Sequence, residues 1–259
     1  MRLGFAASAP FGADVLERLA GRHEIGFCLT QPDAPAGRGR GLRPAPAKLT
    51  ALKLGIPVVE SLDAPLDAET IVLVAFGRLI PSELLERHLW LNAHPSLLPR
   101  WRGAAPVERS LMAGDRETGV TIHETVKELD AGPIAAQRAF AVAPEDDAGA
   151  VYARAAALAA VLLDEVLPEP TFVPQAGEAT YAAKLEPADR ELDLSRPAEE
   201  LVNRVRALSP HIGARAELRG RRVTVWRARV GEDGSFEPLE VQPEAGRRMA
   251  YEAWQRGLR

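Results

Sequence analysis

The residue types most ready for chemistry stand together at Asn92-Ala93-His94. Leu89 to His94 reads as a short strand stopped by Pro95, because proline cannot continue a sheet ladder. Residues two apart on a strand point to one face. Asn92 and His94 are therefore expected side by side at the strand's carboxyl end, which is where open α/β sheets bind ligands. An amide and an imidazole together can hold a developing oxyanion and move a proton. Taken alone, an Asn-x-His pair more often caps a strand than forms a site. Further along, Asp130 falls in a tight turn fixed by Gly132 and Pro133.

The elements that must position these residues follow from hydrophobic pattern. Arg2 to Ala6 reads as a strand, Phe11 to Ala20 as a helix with an apolar face of Val15, Leu16 and Leu19, and Glu24 to Thr30 as a second strand. That order is a Rossmann-like βαβ opening. No Gly-x-Gly-x-x-Gly follows the first strand, so a dinucleotide site has no support. The apolar run Ile71 to Gly77 reads as a buried parallel strand. Only Glu60 to Thr70 separates it from the strand at Ile56 to Val59, so one helical turn is expected there. Ala105 to Ala113 reads as a helix, and Gly119 to Thr125 and Ile134 to Val142 as strands. Asp146 or Asp147 is placed to cap an Ala-rich helix reaching about Leu167, with Leu158, Val161, Leu162 and Val166 toward the sheet.

Two segments carry dense positive charge. Gln31 to Lys48 is too rich in Gly and Pro for regular structure and reads as a long exposed loop. It holds Arg38, Arg40, Arg43 and Lys48 against the single acid Asp33, a composition suited equally to phosphate recognition and to a solvated linker. The second segment lies beyond a Pro- and Gly-punctuated linker near residues 171–180, where the domain boundary is expected. Residues 1–170 would form the first domain and 181–259 a small, mainly β second domain. The latter carries Arg204, Arg206, Arg215, Arg219, Arg221, Arg222, Arg227 and Arg229, with only Glu217 as an acid among them.

The composition narrows the class. The apolar fraction of 46% and charged fraction of 26% are ordinary for a globular chain. The net charge of -4 gives no global case for nucleic-acid binding, so any basic surface is local. One cysteine, Cys28, excludes a disulfide framework and reads as a small buried hydrophobe. No apolar run approaches a membrane span. The chain also opens directly into a strand pattern without a leader. The expectation is a cytoplasmic monomer.

The run Ser96-Leu97-Leu98-Pro99-Arg100-Trp101-Arg102-Gly103-Ala104-Ala105-Pro106 is highly specific. With Gly114-Asp115, Glu117 to Ile122 and Leu129-Asp130-Ala131-Gly132, it resembles the methionyl-tRNA formyltransferase family of folate-dependent formyltransferases. Gln31-Pro32-Asp33, Pro35 to Arg40 and Pro44 are similar to that family's tRNA-contacting loop. Tyr181-Ala182, Lys184-Leu185 and Asp193 to Ala198 are similar to the start of its C-terminal β-barrel. The chain departs from the family's Gly-Thr-Pro at Ala7-Ser8-Ala9, in the short Glu60 to Thr70 connection, and in an abbreviated stretch between Val230 and Leu239.

The resemblance implies an α/β fold: a Rossmann-like formyltransferase domain with a small, abbreviated β-barrel-like (OB-like) C-terminal domain. It implies that Asn92, His94 and Asp130 are catalytic. It implies that Ser96, Leu97, Leu98 and Pro99, with Phe76 and Gly77, bind 10-formyltetrahydrofolate without a metal, and that Arg38, Arg40, Arg43 and Lys48 contact tRNA. The activity implied is formyl transfer to the α-amine of initiator methionyl-tRNA for translation initiation. Alternatives on the same site are a nucleotide-linked amino sugar or other small amine as acceptor, and hydrolysis of formyl-folate. A non-catalytic RNA-binding protein is the alternative of another class. His123, on the strand leading to Asp130, is a further candidate for the site's lining.

Overall fold

The computed structural model describes residues 2–36 and 41–258. Its strands in chain order are β1 (Arg2–Ala7), β2 (Glu24–Leu29), β3 (Ala34–Ala36), β4 (Gly41–Arg43), β5 (Val58–Val59), β6 (Thr70–Val74), β7 (Leu89–His94), β8 (Arg102–Gly103), β9 (Glu117–Glu124), β10 (Ile134–Ala141), β11 (Tyr181–Ala182), β12 (Ala214–Leu218), β13 (Arg221–Val230), β14 (Phe236–Pro243) and β15 (Met249–Ala250). The helices are α1 (Pro10–Ala20), α2 (Pro46–Lys53), α3 (Ser82–Arg87), α4 (Pro106–Met112), α5 (Ala148–Val166), α6 (Ala198–Leu208) and α7 (Tyr251–Arg256). The chain separates into two compact units. One holds residues 1–102, 119–139 and 153–181, the other residues 103–118, 140–152 and 182–259.

The first unit is Rossmann-like. A seven-stranded sheet runs in the order β10-β9-β7-β6-β1-β2-β5. β1 lies parallel to β2 and β6, β2 to β5, and β6 to β7, while β9 runs antiparallel to β7. The parallel strands are apolar on both faces, as strands covered on both sides must be. Trp90, 1% exposed, packs with Phe27, Ile71, Phe76 and Leu84, and its indole N–H donates to the Leu84 carbonyl at 2.9 Å. Truncating so buried a ring costs about 3–5 kcal/mol. Cys28 on β2 is wholly buried, and burial pushes its thiol up to about 12.

Three local expectations are revised. The loop expected to lack regular structure contains a short hairpin, in which Ala34 pairs with Arg43, Pro35 with Leu42 and Ala36 with Gly41. Pro35 is tolerated because a two-stranded ribbon is all edge. The 60–69 connection forms turns and no helix. Pro65 lacks a helical N–H, and Leu66 anchors the segment in the core instead. β6 ends at Val74 rather than Gly77, because Ala75 turns to φ 46° and its carbonyl accepts from Ser8 N and Ala9 N at 3.3 Å each.

The long helix α5 is capped by Asp147, whose carboxylate accepts the Ala150 N–H at 2.9 Å, an interaction worth about 1 kcal/mol. Its buried positions include Ala155, Ala156, Ala159 and Ala160 as well as Leu162, Leu163 and Val166. Val161, expected on that face, is exposed.

In the second unit the alternating residues Ala214, Ala216 and Leu218 of β12, and Val223 and Val225 of β13, join Leu201, Val205 and Leu208 of α6 in one core, following the two-residue period of strands. The sheet runs β12-β13-β14-β15 and is antiparallel throughout. It is an open sheet among the described residues, consistent with the shortened sequence. The arginines expected as a basic patch are in part paired with acids outside their own sequence window. Arg215 and Arg222 share Glu191, and Arg229 pairs with Glu237. Arg206 donates to the Ala143 and Asp146 carbonyls. Among the described residues no helix is long and apolar enough to cross a membrane.

Candidate active site

β7 carries Asn92 and His94 at the end of its parallel pairing with β6, and its register with β9 sets Asn92 opposite His123 and His94 opposite Thr121. Cross-strand neighbours lie close enough for side chains to touch. The Asn92 amide nitrogen is 3.1 Å from His123 Nε2 and donates to Asp130 Oδ1 at 3.2 Å. His123 Nδ1 lies 2.8 Å from the Glu124 carbonyl. A carbonyl only accepts, so Nδ1 carries the hydrogen and Nε2 is left to accept from Asn92. His123, 1% exposed, therefore belongs to the cluster as the partner that fixes Asn92.

His94 is 5% exposed. Its Nε2 donates to the Trp101 carbonyl at 2.8 Å, and its Nδ1 faces Asp130 Oδ2 at 3.7 Å. Trp101 sits at φ 62° and Asp130 at φ 48°. Both are in the left-handed region that bulky residues avoid. Burial holds the His94 imidazole below its ordinary 6.5, outweighing the opposite pull of the Asp130 charge. A lowered value favours the neutral imidazole, the state able to take up a proton during reaction.

The shift has a stability consequence. As pH falls below 6.5, the unfolded chain takes the proton first, so unfolding is progressively favoured; above that value both states are neutral. Urea titrations from about pH 7 toward pH 5 should show declining stability, with a shallower decline in His94→Gln.

The loop after β7 is fastened from β9. The Thr121 hydroxyl donates to the Ser96 carbonyl at 2.7 Å and accepts from Leu98 N and Gln137 Nε2. The Ser96 hydroxyl is turned inward onto the Arg100 carbonyl. Ser96 and Leu98 are buried, while Leu97 and Pro99 are half-buried. This segment therefore offers a ligand the edges of Leu97 and Pro99 rather than the serine hydroxyl. Phe76 is 2% exposed in the sheet core, and its neighbours Ala75 and Gly77 are exposed. Gly77 has φ 79°, and a Cβ there would press the Gln31 amide at 2.8 Å.

Of the basic residues in the 31–48 segment, the two that are described, Arg43 and Lys48, are not brought to this cluster. Arg43 is exposed on β4. The Lys48 ammonium lies between Asp33 at 2.5 Å and Glu60 at 2.9 Å. Arg38 and Arg40 lie outside the described residues. A residue that sequence reasoning missed is Gln175. It donates to the Asp130 and Gly132 carbonyls at 2.7 and 2.8 Å and accepts from Arg102. It sits in the expected linker, where no periodicity marks it.

Comparison with known proteins gives the family of this arrangement. A formyl transferase model matches residues 7–167, and a formyl transferase C-terminal domain model matches residues 184–238. The chain is 43% identical over 242 residues to a methionyl-tRNA formyltransferase of Xanthomonas axonopodis pv. citri (strain 306), covering 86% of this chain and 79% of that protein. The solved methionyl-tRNA formyltransferase of Clostridium thermocellum superposes with TM-score 0.67 at 16% identity, over 94% of this chain and 98% of that one. An N-formyltransferase of Helicobacter canadensis, solved with folinic acid and dTDP-3-aminofucose, superposes with TM-score 0.68 at 16% identity, over 88% of this chain and 87% of that one. At 16% identity the two solved structures show the fold alone. The chain belongs to the methionyl-tRNA formyltransferase family of formyl transferases.

Proposed function

We propose that the protein transfers the formyl group of 10-formyltetrahydrofolate to the α-amine of methionine on initiator tRNA, with Asn92, His94 and Asp130 as catalytic residues. The observation that carries the assignment of roles is the convergence of an amide and an imidazole from the end of β7 on one carboxylate, which lies 3.2 Å from the Asn92 amide and 3.7 Å from the His94 ring.

The amine nitrogen attacks the formyl carbon, and the carbonyl electron pair moves to the formyl oxygen. Asn92 turns one amide hydrogen from its resting partners toward that oxygen. His94 takes the proton shed by the attacking nitrogen, and Asp130 stabilises the resulting imidazolium. The proton is returned, directly or through water, to the folate nitrogen as the bond from that nitrogen to carbon breaks. No charge is left over, and the formyl amide and tetrahydrofolate depart. The exposed residues Ala75 and Gly77 and the half-buried Leu97 and Pro99 are suited to holding the flat pterin ring, since they offer small and apolar surfaces without competing charge.

Residues 1–170 are assigned the transfer chemistry and residues 181–259 tRNA docking, with the basic 31–48 segment on the acceptor stem. The level of identity to methionyl-tRNA formyltransferases favours this acceptor over an amino sugar. The test is formylation of methionyl initiator tRNA by purified protein at low and moderate salt. The expected result is activity that fades as salt rises, because phosphate contacts release counterions. Transfer to an amino sugar nucleotide but not to aminoacyl-tRNA would overturn it.

A further inference from the structure

A side-chain amide has two N–H donors and one oxygen with two lone pairs, and Gln175 uses all of them on one structure. Its nitrogen bridges the carbonyls of Asp130 and Gly132 at 2.7 and 2.8 Å, which flank Ala131 in the turn. Its oxygen accepts from Arg102 Nη2 at 2.6 Å and Nε at 3.2 Å. Close by, Trp101 N donates to the Thr180 hydroxyl and Arg102 N to the Thr180 carbonyl, both at 2.9 Å. One segment, 175–180, thus grips both supports of His94. It ties down the Trp101 backbone that receives Nε2–H, and it ties down the turn that carries the carboxylate facing Nδ1.

The need for such a grip is physical. Asp130 holds φ 48° without being glycine, a conformation that persists only where surroundings impose it. At 3.7 Å its contact with His94 is longer than a hydrogen bond and cannot fix the turn by itself.

We propose that Gln175 is a positioning residue for formyl transfer, setting the place of the Asp130 carboxylate against His94 by bridging the carbonyls of its turn. This rests on the reaction assigned above. Gln175→Ala removes the bridge. Gln175→Glu keeps the length and the Arg102 partner but has no N–H to give. Both should lower kcat by roughly 10- to 100-fold, the scale of an ångström-level misplacement, with little change in KM for either substrate.

A second readout needs no substrate. The charged or titratable groups facing His94 are Asp130 and His123. Withdrawal of the carboxylate should move the His94 titration, followed by NMR, to lower pH, with His123 followed beside it. Wild-type kcat in Gln175→Glu would overturn the proposal. So would losses that match the unfolded fraction while the His94 titration stays in place. If the wild type itself transfers no formyl group, the reaction assignment fails, and the titration alone decides the positioning role.

Discussion

Asp130→Asn is expected to lower formyl transfer by roughly 10²- to 10⁴-fold while leaving the thermal transition nearly unmoved. The carboxylate accepts from Asn92 at Oδ1, which also lies 3.6 Å from His123 Nε2, and its Oδ2 faces His94 Nδ1 at 3.7 Å. Asparagine preserves that shape, keeps an acceptor for Asn92, and is among the residues that best tolerate φ 48°. What it removes is charge. In the mechanism proposed above His94 takes the amine's proton, and a pair of unit charges near 4 Å is then worth about 4 kcal/mol at an effective dielectric of about 20. That corresponds to about a thousandfold in rate. Hydrogen-bond geometry alone predicts a much smaller effect, so the two accounts separate cleanly. The measurement is kcat/KM with a melting curve on the same preparation. Activity close to wild type would remove Asp130 from the mechanism.

Gly132→Ala is expected to be the most damaging one-carbon change in the first unit. A Cβ at Gly132 would stand 1.8 Å from the Glu124 carbonyl oxygen and 2.9 Å from its carbon. Both are backbone atoms at the end of β9 and cannot swing aside as a flexible side chain could. That oxygen also receives the His123 Nδ1 hydrogen, and the Gly132 carbonyl is one of the two bridged by Gln175. The turn and β9 must therefore part, and Asp130, His123 and Asn92 all shift with them. Overpacking of this kind costs about 1–3 kcal/mol, and a displacement of about 1 Å at the reacting groups costs about a hundredfold in rate. Denaturant titration and steady-state kinetics check the two parts. A variant with unchanged stability and activity would show that the turn has slack the structure does not display.

What was legible in the sequence, and what was not, follows the range of the forces involved. The two-residue period placed Asn92 beside His94, and Pro95 marked where β7 ends. Gly132 and Pro133 announced the Asp130 turn. These are local rules acting over a few residues. That His94 favours its neutral form was not legible, because burial depends on what the whole sheet packs around it. Gln175 was invisible for a related reason. It lies 45 residues from Asp130, in a segment whose prolines and glycine suggest only a linker. The basic stretch of the second unit illustrates the reverse error. Glu191 and Glu237 lie outside the window in which charges were counted, so the patch looked less compensated than it is. In α5 Ala155, Ala156, Ala159 and Ala160 occupy buried positions, where small residues let the helix approach closely, and Val161 falls outside them.

The buried thiol of Cys28 has a use beyond packing. The chain holds a single sulfhydryl, sealed in the sheet, where burial raises its pKa and disfavours the thiolate. Thiolate is the form that alkylating reagents attack, so the native protein offers them nothing. A molecule whose β1–β2 region has opened presents an ordinary cysteine and is marked permanently. The extent of alkylation after a fixed interval therefore counts openings of the central sheet one chain at a time. The protein carries its own chemical clock for unfolding, with no label added.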